Sequence, residues 1–111
     1  MSGSLENDAI LGGSGDDILM GRDGDDTLSG GEGYDALIGG SGADLFKISA
    51  GLGVDRIYDF NAEEGDRLSV EGQTYNIGQV GADVVLTFDT GSRLIVMGAH
   101  LNELPSGWIT G

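Results

Sequence analysis

The chain has 111 residues, room for one domain and too few for two ordinary ones. Nineteen Asp and Glu stand against five Lys and Arg, a net charge of −14, which argues against nucleic acid and anionic membrane surfaces as partners. Cysteine is absent, so disulfides, thiolate metal sites and cysteine nucleophiles are excluded together.

From Met1 to Leu11 there is no basic residue and no apolar stretch long enough for a signal-peptide core. The longest apolar run, Leu94 to Met97, is far short of the roughly 18 residues a membrane span needs, so no membrane insertion is expected. Between Gly12 and Asp44 one residue in three is glycine, without the spacing or proline of collagen. A nine-residue period fits instead. Its blocks are GGSGDDILM (12–20), GRDGDDTLS (21–29), GGEGYDALI (30–38) and GGSGADLFK (39–47), preceded by a degenerate GSLENDAIL (3–11). The sixth position is Asp in every block: Asp8, Asp17, Asp26, Asp35 and Asp44. The eighth is always large and apolar: Ile10, Leu19, Leu28, Leu37 and Phe46.

Six residues rich in Gly and Asp suit a tight turn, and the last three suit a very short strand. Such strands cannot stand alone, so the blocks must stack and bury the eighth-position column. Stacking also aligns the aspartates, whose repulsion is relieved by a cation between them. Two carboxylates and the carbonyls of the turns form an oxygen cage suited to Ca²⁺, with no His or Cys in the repeats for softer metals. A merely solvated acidic face would not need a nine-residue register. An EF-hand would need Glu eleven residues after Asp23, where Tyr34 stands. The glycines lack the Lys or helix start of a phosphate loop. Asp16 and Asp25 read as solvated neighbours that add negative field without ligating, and so does the side chain of Asp23.

These blocks resemble the RTX (repeat-in-toxin) family, whose signature G-G-x-G-x-D-x-U-x binds Ca²⁺ in a parallel β-roll. The resemblance implies that two blocks make one coil, so that alternate turns share a calcium. Asp17 then pairs with Asp35, Asp26 with Asp44, and Asp8 more weakly with Asp26. It further implies carbonyl ligands from Gly12, Ser14, Gly21, Asp23, Gly31, Gly33, Gly40 and Gly42. Arg22 stands where the family has glycine; its carbonyl can serve while its side chain points outward.

Beyond Ile48 the period is gone. Apolar stretches between turn signals predict strands at 46–49, 56–60, 67–70, 74–77, 84–88 and 93–97, a hairpin turn at Asp89-Thr90-Gly91, and single helical turns at 62–65 and 101–104. Tyr75 and Trp108 read as core. The segments GADLFKI…DRIYDFNAEEGDRLSV and ADVVLTFDTGSRLIVMGAHLNELPSGWI are similar to the region that follows the last repeat in type I secretion substrates. There, an Asp of the D-x-I-x-D-F segment joins the last calcium site, which points to Asp55 or Asp59; each reads equally as a strand-end Asp capping backbone amides. His100 has no nucleophile partner, and Glu63, Glu64 and Asp66 read as loop acids.

The expected architecture is all-β: one module with a parallel β-roll over residues 3–47, followed by a short-stranded antiparallel cap over 48–111. The expected function is non-enzymatic. It is the calcium-binding C-terminal module of a larger secreted, extracellular bacterial protein, with two to three Ca²⁺ in the repeats and one more at the cap. The resemblance implies the type I secretion machinery as a partner, and the uncapped start of the repeats implies an upstream domain of the parent protein. The alternative is a carbohydrate-binding repeat module of the alginate type, which five basic residues support poorly. Oxygen-only cages prefer Ca²⁺ to the smaller, strictly octahedral Mg²⁺. Calorimetry is therefore expected to show calcium binding at concentrations where magnesium gives no comparable heat, and equal affinity for the two ions would contradict the cage.

Overall fold

The computed structural model describes residues 6–48 and 53–110. Each repeat ends in a strand: β1 (Ala9–Leu11), β2 (Ile18–Met20), β3 (Thr27–Ser29), β4 (Gly33–Ile38) and β5 (Leu45–Lys47). Successive strands go to opposite sheets, because each glycine-rich turn reverses the chain. β1, β3 and β5 pair in parallel in one sheet, and β2 pairs with β4 in the other. Partners are 18 residues apart, as in Ile10↔Leu28↔Phe46 and Leu19↔Leu37. Two nonapeptides thus make one coil of a parallel β-roll. The eighth-position residues Leu19, Leu28, Leu37 and Phe46 point between the sheets and are fully buried.

The winding continues past the last nonapeptide. β6 (Gly53–Ile57) pairs in parallel with β4, and β7 (Arg67–Ser69) with β5. Ile57 and Leu68 extend the buried column. β6 lies three residues earlier than its apolar run suggests, because register decides. Opposite β4 it sets Ile57 beside Leu37 and Asp55 beside Asp35, leaving Asp59 and Phe60 beyond the strand. The predicted 46–49 strand appears as β5, with Ser49 outside the described residues.

The second sheet ends in β8 (Tyr75–Val80), β9 (Asp83–Phe88) and β10 (Arg93–Val96). These form an antiparallel meander, joined through β10 in parallel to β6. The expected turn closes β9–β10, with Gly91 N donating to the Phe88 carbonyl at 2.9 Å. In the first sheet, β11 (Ile109–Thr110) pairs in parallel with β7. Short 3-10 turns occupy Ala62–Glu64 and Leu101–Glu103. Trp108 is buried at this end, and Phe60 packs between it and Phe46, with ring centroids at 5.6 and 6.0 Å. Tyr75 lies partly buried against Phe88 at 6.1 Å.

Arg22 occupies a glycine's place with a glycine's conformation. Its φ of 70° matches Gly13, Gly31 and Gly40, at 83°, 82° and 80°. A side chain in that left-handed region costs about 1–2 kcal/mol. Arg22→Gly is therefore expected to raise the calcium-loaded stability by about 0.5–1 kcal/mol, net of the extra chain entropy glycine brings to the unfolded state. Urea unfolding in saturating calcium measures it, and a destabilised variant would show that the arginine makes a compensating contact.

Candidate metal centre

Asp8, Asp17, Asp26 and Asp44 sit where a turn enters its strand and Asp35 lies within the longer β4, so stacking the coils stacks them. They form two hydrogen-bonded ladders. In one, Asp8 N donates to Asp26 Oδ1 at 2.8 Å, Asp26 N to Asp44 Oδ1 at 2.9 Å, and Asp44 N to Asp66 Oδ1 at 2.8 Å. In the other, Asp17 N donates to Asp35 Oδ1 at 2.9 Å, and the Asp35 amide hydrogen-bonds the Asp55 carboxylate. Asp26, Asp35, Asp44, Asp55 and Asp66 are all buried; Asp8 and Asp17 are half-buried at the N-terminal coil.

One oxygen each of Asp26, Asp35, Asp44, Asp55 and Asp66 is thereby satisfied. Other oxygens are not: Asp17, Asp26, Asp35 and Asp44 Oδ2, and Asp55 Oδ1, are buried without a hydrogen-bond partner. Each Oδ2 turns into its own loop, toward the glycine five residues earlier. A Cβ built on Gly21 would stand 2.5 Å from Asp26 Oδ2 and 2.7 Å from the Gly39 carbonyl oxygen. Only glycine leaves that space open. A carboxylate oxygen from one turn and a carbonyl from the turn stacked on it in the next coil therefore face a common space that side chains are kept out of.

Among the described residues no three Asp, Glu or His side chains converge on one point. A cage here must be completed by carbonyls, and the loops provide them. Of the turn residues singled out in the sequence, Gly12, Ser14, Gly21, Asp23, Gly31, Gly40 and Gly42 lie in the loops that flank the ladders, while Gly33 is the first residue of β4. Gly31, Gly33, Gly40 and Gly42 have positive φ, and their α-carbons sit over the carbonyls of Gly13, Gly15, Arg22 and Gly24 in the preceding coil. The donor set, paired buried carboxylates with carbonyls and no nitrogen or sulfur, fits a hard divalent cation of calcium's size.

The remaining acids divide. Asp16 and Asp25, read from sequence as merely solvated, clip adjacent turns: their Oδ1 atoms accept from Tyr34 N at 2.9 Å and Ala43 N at 2.8 Å. Asp23 Oδ1 accepts from Ser41 Oγ at 2.7 Å. Both oxygens of Asp59 accept backbone donors, Gly39 N at 2.9 Å and Gly40 N at 2.7 Å. His100, Glu63 and Glu64 are exposed. Asp66, taken from sequence as a loop acid, is instead the end of the first ladder. The signal for it was present: Asp66-Arg67-Leu68-Ser69 repeats the pattern of Asp26-Thr27-Leu28-Ser29, displaced by a longer loop.

This arrangement is a parallel β-roll whose oxygen donors suit a cation between its coils. Comparison with known proteins gives the same answer. The profile of the RTX calcium-binding nonapeptide repeat (4 copies) matches residues 2–37 and 20–46, the part of the chain that holds the nonapeptide blocks. The R3 subunit of the Azotobacter vinelandii mannuronan C5-epimerase AlgE6 is similar in structure at TM-score 0.75 and 29% identity, over 99% of this chain and 76% of that one. The R2 subunit of the same enzyme gives 0.65 and 28%, over 98% and 90%. The extracellular lipase LipA of Serratia marcescens gives 0.64 and 27%, over 98% of this chain, which spans only 20% of the lipase. The search of curated protein sequences gives no match.

Burial of like charges shapes the titration. Burial first, then the neighbouring carboxylates Asp66, Asp26 and Asp59, pushes Asp44 up to about 7. Burial, then the hydrogen bond and charge of Asp35, does the same to Asp55, also to about 7. Asp26, Asp35 and Asp66 are raised as well, chiefly by burial. A carboxyl whose folded pKa lies above its unfolded value stabilises the fold at low pH and loses that contribution as pH rises through the folded value. The metal-free roll should therefore show more β-structure in chelator at pH 5 than at pH 8. Calcium needs the ionised carboxylates, so its affinity should rise over the same interval. Circular dichroism and calcium titration at the two pH values test both, and a metal-free fold that strengthens toward pH 8 would contradict the burial argument.

Proposed function

We propose that this chain is a calcium-triggered folding module of a longer, secreted bacterial protein. The observation that carries the reading is the set of buried, hydrogen-bond-deficient carboxylate oxygens facing the glycine loops. Without a cation, these oxygens are desolvated beside one another; with one, they become ligands. Pairing them along the ladders gives three two-carboxylate sites, Asp17 with Asp35, Asp26 with Asp44 and Asp35 with Asp55. Carbonyls of the flanking turns complete each site, and bound calcium neutralises charge and ties adjacent coils together. Asp8 with Asp26 is a weaker candidate, since the first block lacks the glycines. Asp59, with both oxygens engaged by Gly39 and Gly40, acts as a cap for the last glycine turn.

The dependence on calcium suits export. For a Kd near 10⁻⁴ M, millimolar calcium stabilises the fold by about 1.4 kcal/mol per site. Three sites give about 4 kcal/mol, a large share of the ~5–15 kcal/mol that holds an ordinary domain. Cytosolic calcium, far below that Kd, contributes almost nothing. A chain unfolded inside and folded outside is the form a type I secretion channel carries. The likeness to part of an extracellular lipase supports placing this module in a longer extracellular protein; among the described residues no helix is long and apolar enough to cross a membrane.

A second reading, binding of an acidic polysaccharide, is favoured by the likeness to subunits of a mannuronan epimerase. The exposed Tyr34 and Tyr58 and the basic Arg56 line one groove and support it, while Asp16, Asp17 and Asp35 in the same groove oppose a polyanion. It is compatible with the first.

The calcium reading predicts a ranking of acids. Asp26→Ala removes a buried ladder carboxylate; Glu32→Ala removes the same charge from an exposed position. The first should shift the calcium midpoint for β-structure formation at least about tenfold, the second less than about twofold. Equal shifts would reduce the role of these acids to bulk charge, and a wild-type chain fully folded in chelator at neutral pH would remove the trigger.

A further inference from the structure

The turn before Asp66 differs from every repeat turn in how its carboxylate is used. In the repeats, Oδ2 of the ladder aspartate points to the residue five positions earlier and meets only the α-carbon of a glycine: Gly12 for Asp17, Gly21 for Asp26, Gly30 for Asp35, Gly39 for Asp44. The N–H of that glycine is spent elsewhere. Gly12 N donates to the Ser29 carbonyl, Gly21 N to that of Ile38, and Gly39 N to Asp59. For Asp66 the residue five positions earlier is Asn61. There the chain has left the second sheet after Ile57, and the Asn61 N–H donates to Asp66 Oδ2 at 2.9 Å. The loop itself is a 3-10 turn, with Asn61 Oδ1 accepting from Glu63 N at 3.0 Å and Gly65 at φ 96°.

Resting on the calcium reading above, we propose that Asp66 closes the calcium row without binding calcium. Its two oxygens are occupied by the amides of Asp44 and Asn61, so a backbone N–H holds the carboxylate where the other turns leave it to a cation. Asp66 is thus a positioning residue. It fixes the backbone of Asp44, whose free oxygen serves the site shared with Asp26, and it keeps the Asp44–Asp66 pair from adding a site to the three named above. The Asp44–Asp66 pair is a turn pair without an ion.

Calcium counted on the full-length chain by native mass spectrometry and calorimetry tests this. The wild type should bind three ions in the two-carboxylate sites and Asp55→Ala two. Asp66→Ala should still bind three, with the site containing Asp44 weakened by about tenfold, the scale of one lost charge-assisted hydrogen bond. Loss of one ion in Asp66→Ala would overturn the proposal by making Asp66 a ligand. Should that variant not fold, a gain-of-site variant decides. Asn61→Gly, Ala62→Gly, Glu63→Ser, Glu64→Gly and Gly65→Ala together give Asp66 the loop of residues 39–43, and a fourth ion is expected. Retention of three ions in that folded variant would also overturn it. A wild-type chain that binds no calcium would sink the calcium reading itself, whereas three or more ions with one lost on Asp66→Ala would sink this inference alone.

Discussion

The structure depends on an unfavourable interaction: buried carboxylates stacked in register along a sheet edge. Neighbouring strands lie about 4.8 Å apart, and two unit charges at that spacing repel by about 3–4 kcal/mol at an effective dielectric near 20. The repeat cannot avoid this, because the register that buries Leu19 against Leu37 and Leu28 against Phe46 also aligns Asp17 with Asp35 and Asp26 with Asp44. Core and charge are locked to one period. The ladder amides relieve one oxygen of Asp26, Asp35, Asp44 and Asp55 and leave the other to a proton or a cation. That choice couples the fold to its ionic surroundings.

Glycine makes the same coupling possible sterically. Gly12, Gly21, Gly30 and Gly39, each the first residue of its repeat, have no side chain because the carboxylate oxygen of the same loop occupies the place a Cβ would take. Loops of this kind bury almost no apolar surface, and three-residue strands offer little more. The roll therefore relies on the long eighth-position column and on whatever neutralises the aspartates. The C-terminal part works differently. Leu86, Leu94, Val84 and Val96 form a continuous apolar core, and Phe60 and Trp108 seal the end over Phe46. A conventionally packed end and a charge-limited array are joined without a break, through β6, β7, β10 and β11.

Much of this was legible in the sequence, because a nine-residue period with two invariant columns specifies stacking, core and ladder at once. The pairing of alternate turns came from the family resemblance and agrees with the observed 18-residue register. What periodicity could not give were features decided by tertiary register. β6 begins at Gly53 because it must match β4, although its own apolar run suggests a later start. Asp66 joins the ladder from 22 residues beyond Asp44, a spacing that hides it from a nine-residue frame. Asp16 and Asp25 look like surface acids in one dimension, and only the stacking of coils brings the amides of Tyr34 and Ala43 within their reach.

The central claim is that specific carboxylate oxygens are ligands in waiting. A crystal structure of the full chain grown with calcium tests it most directly. The account predicts cations between alternate turns, with Asp26 Oδ2 and Asp44 Oδ2 both at about 2.3–2.6 Å from one ion and loop carbonyls filling the remaining positions. Well-ordered calcium bound elsewhere, with these two oxygens still lacking any partner, would contradict it.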